Sequence, residues 1–201
     1  IASMNRTRDT RDLLIRAGAE IIAQQGFSST GINQVLTRVG VPKGSFYHYF
    51  GSKNDFGLAV IDSYARDYQA LLDATLGNHA LSPLARLDAY FAHGIARMED
   101  DACAIGCLIG NLGQELAAQN TLFRERLNAI FADWEHAFAN CLEQAQSRGE
   151  VREDANPAAL AGFMLSGWQG ALLRAKLVKS SEPLRHFQRL LGLLLAATIK
   201  P

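Results

Sequence analysis

Thr30-Gly31-Ile32-Asn33-Gln34-Val35-Leu36-Thr37-Arg38-Val39-Gly40-Val41-Pro42-Lys43-Gly44-Ser45-Phe46-Tyr47-His48-Tyr49-Phe50, followed at once by Gly51-Ser52-Lys53, is the stretch that decides the fold. Ile32, Val35, Leu36 and Val39 recur at helical spacing, which predicts a short helix with one apolar face, capped by Ser29 or Thr30. Gly40 ends it, because glycine accepts the left-handed backbone that follows a helix. Pro42 disfavours helical geometry at Val41 and is suited to starting a second helix. In that helix Phe46 and Phe50, four apart, face inward. Lys43, Gly44, Ser45, Tyr47, His48 and Tyr49 are left on the other faces. Two short helices across a tight glycine turn form a helix-turn-helix.

That composition suits a helix pushed end-on into a DNA major groove. Gly44 permits close backbone approach, Ser45 and His48 reach base edges, and Lys43, Tyr47, Tyr49 and Lys53 hold phosphates. Gly26-Phe27, Thr30, the Gly40-Val41 turn, Lys43 through Phe50 and Ser52-Lys53 together resemble the DNA-binding domain of TetR-family transcriptional regulators. The match covers about the first quarter of the chain. Gly31 stands where the family usually has Ser or Thr, so the hydroxyl contact to phosphate is expected from Thr30.

The charge distribution agrees with a DNA-facing end. The formal net charge of the 201 residues is zero. Up to residue 55, however, seven basic residues (Arg6, Arg8, Arg11, Arg16, Arg38, Lys43, Lys53) meet four acidic ones (Asp9, Asp12, Glu20, Asp55), a net +3 that leaves −3 for the rest. Arg6, Arg8 and Arg11 are candidates for an arm along the DNA backbone. Ile1-Ala2-Ser3, ahead of Met4, lacks a basic-plus-apolar pattern and is expected to be a cloning remnant rather than a targeting signal. Gly and charge interrupt every apolar run, which excludes a membrane-spanning helix and predicts a soluble protein, and the cysteine usage fits a cytoplasmic one. Three cysteines (Cys103, Cys107, Cys141) without a secretory signal fit a reducing compartment. Neither they nor the five scattered histidines have metal-ligand spacing, so no metal or cofactor is expected.

Outside the motif every periodic segment is helical. Leu13, Leu14, Ala17, Ile21 and Ile22 form a stripe ending at Gly26, which completes a three-helix unit. Ser52, with Asp55 in the first turn, caps a long helix whose movement at its far end must move the reading helix. Further helices open at Ser82-Pro83, near Gly106, at Asn120 or Thr121, at Asn156-Pro157 and after Ser181-Glu182-Pro183. The expected fold is all-α with about nine helices. A helix-turn-helix domain spans residues 4–51, and a helical regulatory and dimerisation domain spans 52–201. The last two helices are too apolar to face water alone. The family resemblance implies that they pair with their copies in a homodimer's four-helix bundle. That sets two reading helices about 34–36 Å apart on a pseudo-palindromic operator.

The resemblance also implies a small-molecule effector bound by the body. Ile105-Gly106-Cys107-Leu108-Ile109-Gly110-Asn111-Leu112 is similar to a segment of the family branch that includes the NemR-like repressors of electrophile-detoxifying genes. There the matching Cys is Cys107, and a Lys in the next-to-last helix matches Lys176. A Cys at a helix start near an ammonium favours the thiolate that electrophiles attack. Cys107 is thus either a sensor or a small buried packing residue, and Cys103, one turn earlier, either packs or resolves an oxidised thiol. Trp134, Trp168, Phe163 and Tyr90 either line an apolar effector pocket or form ordinary core. A thiol-dependent helical enzyme using Cys107 with His93 or His136 competes, but no nucleophile motif or oxyanion loop supports it. A protein-binding helical module without DNA binding is the third reading.

Overall fold

The structure is a computed structural model, and it describes the backbone of residues 2–196 and the side chains of residues 10–195. Among the described residues there are nine α-helices, one 3-10 turn and no strand. They are α1 (Ala2–Gln25), α2 (Ile32–Val39), α3 (Phe46–Tyr49) after a 3-10 turn at Lys43–Ser45, α4 (Lys53–Leu76) and α5 (Pro83–Asp100). They continue with α6 (Leu108–Leu116), α7 (Thr121–Ser147), α8 (Pro157–Val178) and α9 (Glu182–Ala196). No described helix is long and apolar enough to cross a membrane.

The local signals act as their chemistry dictates at four helix starts. Ser52 Oγ accepts from Asp55 N, Ser82 Oγ from Ala85 N, Asn120 Oδ1 from Phe123 N and Asn156 Oδ1 from Ala159 N. At α2 the expectation fails. The residue before the helix is Gly31, which makes no side-chain cap. Thr30 is buried, and its hydroxyl instead donates 2.6 Å back to the carbonyl of Gly26. Gly26 has a φ of 85°, and this left-handed turn exposes a carbonyl that Thr30 satisfies. The stop at Gly40 is as read: φ is 73°, and Val41 N donates to Leu36 O at 3.1 Å. Pro42 sits one residue before the second helix, which opens as a 3-10 turn rather than as α-helix.

The helices gather into two compact units. Among the described residues the first holds 2–67 together with 108–127, and the second holds 68–107 with 128–196. The core of the first unit is aromatic. Phe46, Phe50 and Phe56 meet pairwise at centroid separations of 5.0–5.4 Å. Gly18 of α1 lets the Phe56 ring lie directly on the helix backbone, where a Cβ would collide with it. Phe27 and Phe123 close the other side at 4.9 Å. In the second unit Tyr68 stacks on Trp134 at 4.0 Å, Phe91 packs on Trp168 at 5.0 Å, and Trp168 reaches Phe187 of α9 at 5.9 Å.

Candidate functional site

The inward pair Phe46 and Phe50 is buried, and it fixes which side of the second helix faces out. Lys43, Gly44, Tyr47 and His48 are exposed, with Tyr47 at 60% despite its size. Ser45 and Tyr49 are half-buried, and the Tyr49 ring meets His48 edge-on at 5.0 Å. A Cβ built on Gly44 would meet nothing within 4 Å, so this surface is open to a close-approaching partner. Thr30 does not belong to it: buried and already donating to Gly26 O, its hydroxyl is turned away from the surface. Of the expected arm, Arg6 and Arg8 lie outside the residues whose side chains are described. The Arg11 guanidinium lies over the Phe50 ring, 5.3 Å from its centroid, rather than extending outward.

Lys53 has a partly internal role. Its Nζ donates to Ser28 O at 3.1 Å and lies 4.8 Å from the centroid of Phe27. Beside it is a group the sequence reading passed over, Glu115 near the end of α6. Its carboxylate accepts from Phe27 N at 2.9 Å and from Ser28 N at 2.7 Å. Burial pushes the carboxyl up, but hydrogen bonds from Ser28 and Phe27 and the charge of Lys53 outweigh it and hold Glu115 below its ordinary value. The turn that enters the helix-turn-helix is therefore clamped by one acid and one base. The signal was Glu115-Leu116 in the sequence, but nothing local in it names a partner 87 and 88 residues away.

Cys107 is buried at the end of the Asp101–Cys107 loop, immediately before α6. Gly106 has a φ of 77°, and a Cβ there would come within 3.0 Å of Lys176 Cδ, so the lysine stem passes over the residue preceding Cys107. Tyr90 is near enough to register Cys107. Its own burial raises its phenol well above the ordinary value, a bond with the Tyr68 hydroxyl offsets part of this, and Cys107 adds to it. Cys103 is raised by burial and by Asp101 and Glu99, with Lys179 opposing. Cys141 is pushed up to about 11, chiefly by burial.

Tyr90, Trp134 and Trp168 are buried against other rings. Phe163 departs from the expectation of a pocket wall, being 55% exposed on α8. Leu173 and Leu177 of α8 and Leu190, Leu193 and Leu194 of α9 are exposed as well. Trp168 is not among these exposed side chains: it is buried, with its ring against Gly94 of α5 and beside the half-buried Phe187, which rests on Gly167.

Known proteins match the chain over nearly its whole length. Residues 14–60 match the family described as bacterial regulatory proteins, tetR family, and residues 83–191 match the tetracyclin repressor-like C-terminal domain. The transcriptional regulator AcuR of Cereibacter sphaeroides is 43% identical over 179 residues, 89% of this chain and 82% of the relative. The transcriptional repressor DhaR of a Mycobacterium species is 36% identical over 88% of this chain and 87% of its own. Among solved structures, a regulatory protein TetR from Rhodobacter sphaeroides superposes with a TM-score of 0.86 at 42% identity, covering 90% of this chain and 96% of that one. The reduced form of Escherichia coli NemR gives 0.85 at 28%, covering 91% and 95%. The chain belongs to the TetR family of transcriptional regulators, which bind DNA and act as dimers, and it is a DNA-binding regulator rather than an enzyme.

Proposed function

We propose that the protein is a cytoplasmic homodimeric repressor that reads a pseudo-palindromic operator and leaves it when an effector or an electrophile acts on its body. The observation that carries the DNA half is the exposed face of Lys43, Gly44, Tyr47 and His48 backed by the rigid Phe46–Phe50–Phe56 cluster. Ser45 and His48 read bases, and Lys43, Tyr47 and Tyr49 hold phosphates. Lys53 serves as a pre-oriented phosphate contact, one N–H already being anchored on Ser28 O. The dimer forms through the exposed apolar face of α8 and α9, with Phe163, Leu190, Leu193 and Leu194 desolvated between copies. Sequencing DNA selected from a random pool by the purified protein tests this. Two inverted half-sites about one helical turn apart are expected, and an unenriched pool overturns it.

For the sensor, the crossing of the Lys176 stem over Gly106 favours Cys107 among the three thiols. Leu108 follows Cys107 directly, so a group added at the sulfur displaces α6 and with it Glu115, which holds the turn before α2. A reversible small molecule bound against Tyr90, Trp134 and Trp168 acts on the same body. Hypochlorite or a mild electrophile should release DNA from the wild type and from Cys103→Ser/Cys141→Ser, but not from Cys107→Ser. DNA release with Cys107 unmodified by mass spectrometry moves the trigger to the small molecule.

A further inference from the structure

Three arginines of the first compact unit, Arg11 and Arg16 of α1 and Arg66 of α4, line one cavity of about 570 Å³ together with Asp12, Ser63 and Asp67. None of the three is ion-paired among the described residues, and neither acid of the cavity is. Arg11 touches the Phe50 ring, but that contact supplies no hydrogen-bond acceptor, so its N–H donors stay open to a ligand. Arg11 and Arg66 also line a smaller cavity of about 260 Å³. Its acids leave them unneutralised: Asp62 is taken by Arg126 at 2.6 Å, and Asp55 lies in the first turn of α4, where the helix dipole holds a carboxylate.

Three guanidinium groups around one space suit an anion with several oxygens, and phosphate meets such forks two N–H groups at a time. Asp12 and Asp67 only accept, so the remainder of the ligand must bring donors. Hydroxyl groups supply them without adding charge. Ile15, buried, gives the cavity an apolar wall for a carbon skeleton. The volume exceeds what a bare phosphate fills and lies within the roughly 300–1,000 Å³ of small-molecule sites. Operator phosphates do not reach it, because Arg66 is more than three turns along α4 from Lys53, about 20 Å at 1.5 Å per residue.

We infer that this cavity binds a phosphomonoester of a small hydroxyl-bearing molecule, a polyol phosphate or a nucleotide. Arg11, Arg16 and Arg66 hold the phosphoryl oxygens, and Asp12 and Asp67 accept from the hydroxyl groups. The ligand ties α1 to α4 within the DNA-binding unit. It uses neither the DNA-reading face nor Cys107, and it is separate from any effector held by the body.

Isothermal titration calorimetry of the full chain with glycerol phosphate and with adenosine monophosphate tests it. Glycerol, adenosine, sulfate and inorganic phosphate are the controls, all at one ionic strength. One or both phosphomonoesters should bind once per chain, and the tighter names the kind of molecule that carries the phosphate. Glycerol, adenosine and sulfate should give no binding heat. Arg16→Gln and Arg66→Gln, at exposed positions, should each weaken the phosphomonoester about tenfold or more. Asp67→Asn should weaken the phosphomonoester but not inorganic phosphate, because the acid meets a hydroxyl group and not the phosphoryl group. No binding of either phosphomonoester, equal binding of sulfate or of the unphosphorylated molecule, unchanged affinity in both arginine variants, or an equal loss of phosphomonoester and inorganic phosphate in Asp67→Asn each overturns the inference.

Discussion

Glu115 joins two backbone amides, of Phe27 and Ser28, at the turn leading into α2. Its carboxyl is held below the ordinary carboxylate value of about 4.3, so its contribution is complete above that pH and is lost as pH falls through the folded value. Glu115→Ala should cost about 1–3 kcal/mol at neutral pH. Glu115→Gln should remove part of the loss of stability seen on acidification below about pH 4. Urea melts followed from pH 7 to 3 separate the two effects, and parallel curves for wild type and Glu115→Gln would refute the clamp. The thiols differ in the same physical terms. With Cys141 pushed up to about 11, it stays a thiol at pH 8 and should resist iodoacetamide in the native protein while labelling fully after unfolding.

At the scale of the helix-turn-helix, two glycines act for different reasons. Gly40 has a φ of 73° with open space around it, so Gly40→Ala should cost only the backbone strain, about 1 kcal/mol. Gly18 has ordinary helical geometry but faces the Phe56 ring, so Gly18→Ala must shift a packed aromatic cluster and should cost more, about 1–3 kcal/mol. Thermal midpoints of the two variants check the order. The Gly40 stop and the Phe46–Phe50 pair were legible because they rest on contacts within four residues in sequence. Thr30 was misread for the same reason. Its spacing suits a cap, but the carbonyl freed at Gly26 won its hydroxyl. Glu115 and the outward turn of Phe163 depend on partners or neighbours far along the chain, where periodicity carries no information.

At the scale of the whole molecule, the proposed repression requires two copies, and the proposed seam is the set of exposed apolar side chains on α8 and α9. Leu194→Glu places a charge on that face with no partner and should give monomers in sedimentation together with lost operator binding. Trp168→Ala, by contrast, should destabilise the protomer itself, since its ring packs against Phe91 and Phe187. The most direct test of the central claim, that the outward face of the second short helix reads DNA, is operator affinity against salt concentration for wild type, Lys43→Ala and His48→Ala. Lys43→Ala should weaken all sequences alike and flatten the salt slope by about one unit, while His48→Ala should leave the slope and change the preferred bases. Unchanged affinity and unchanged preference in both variants would contradict the account.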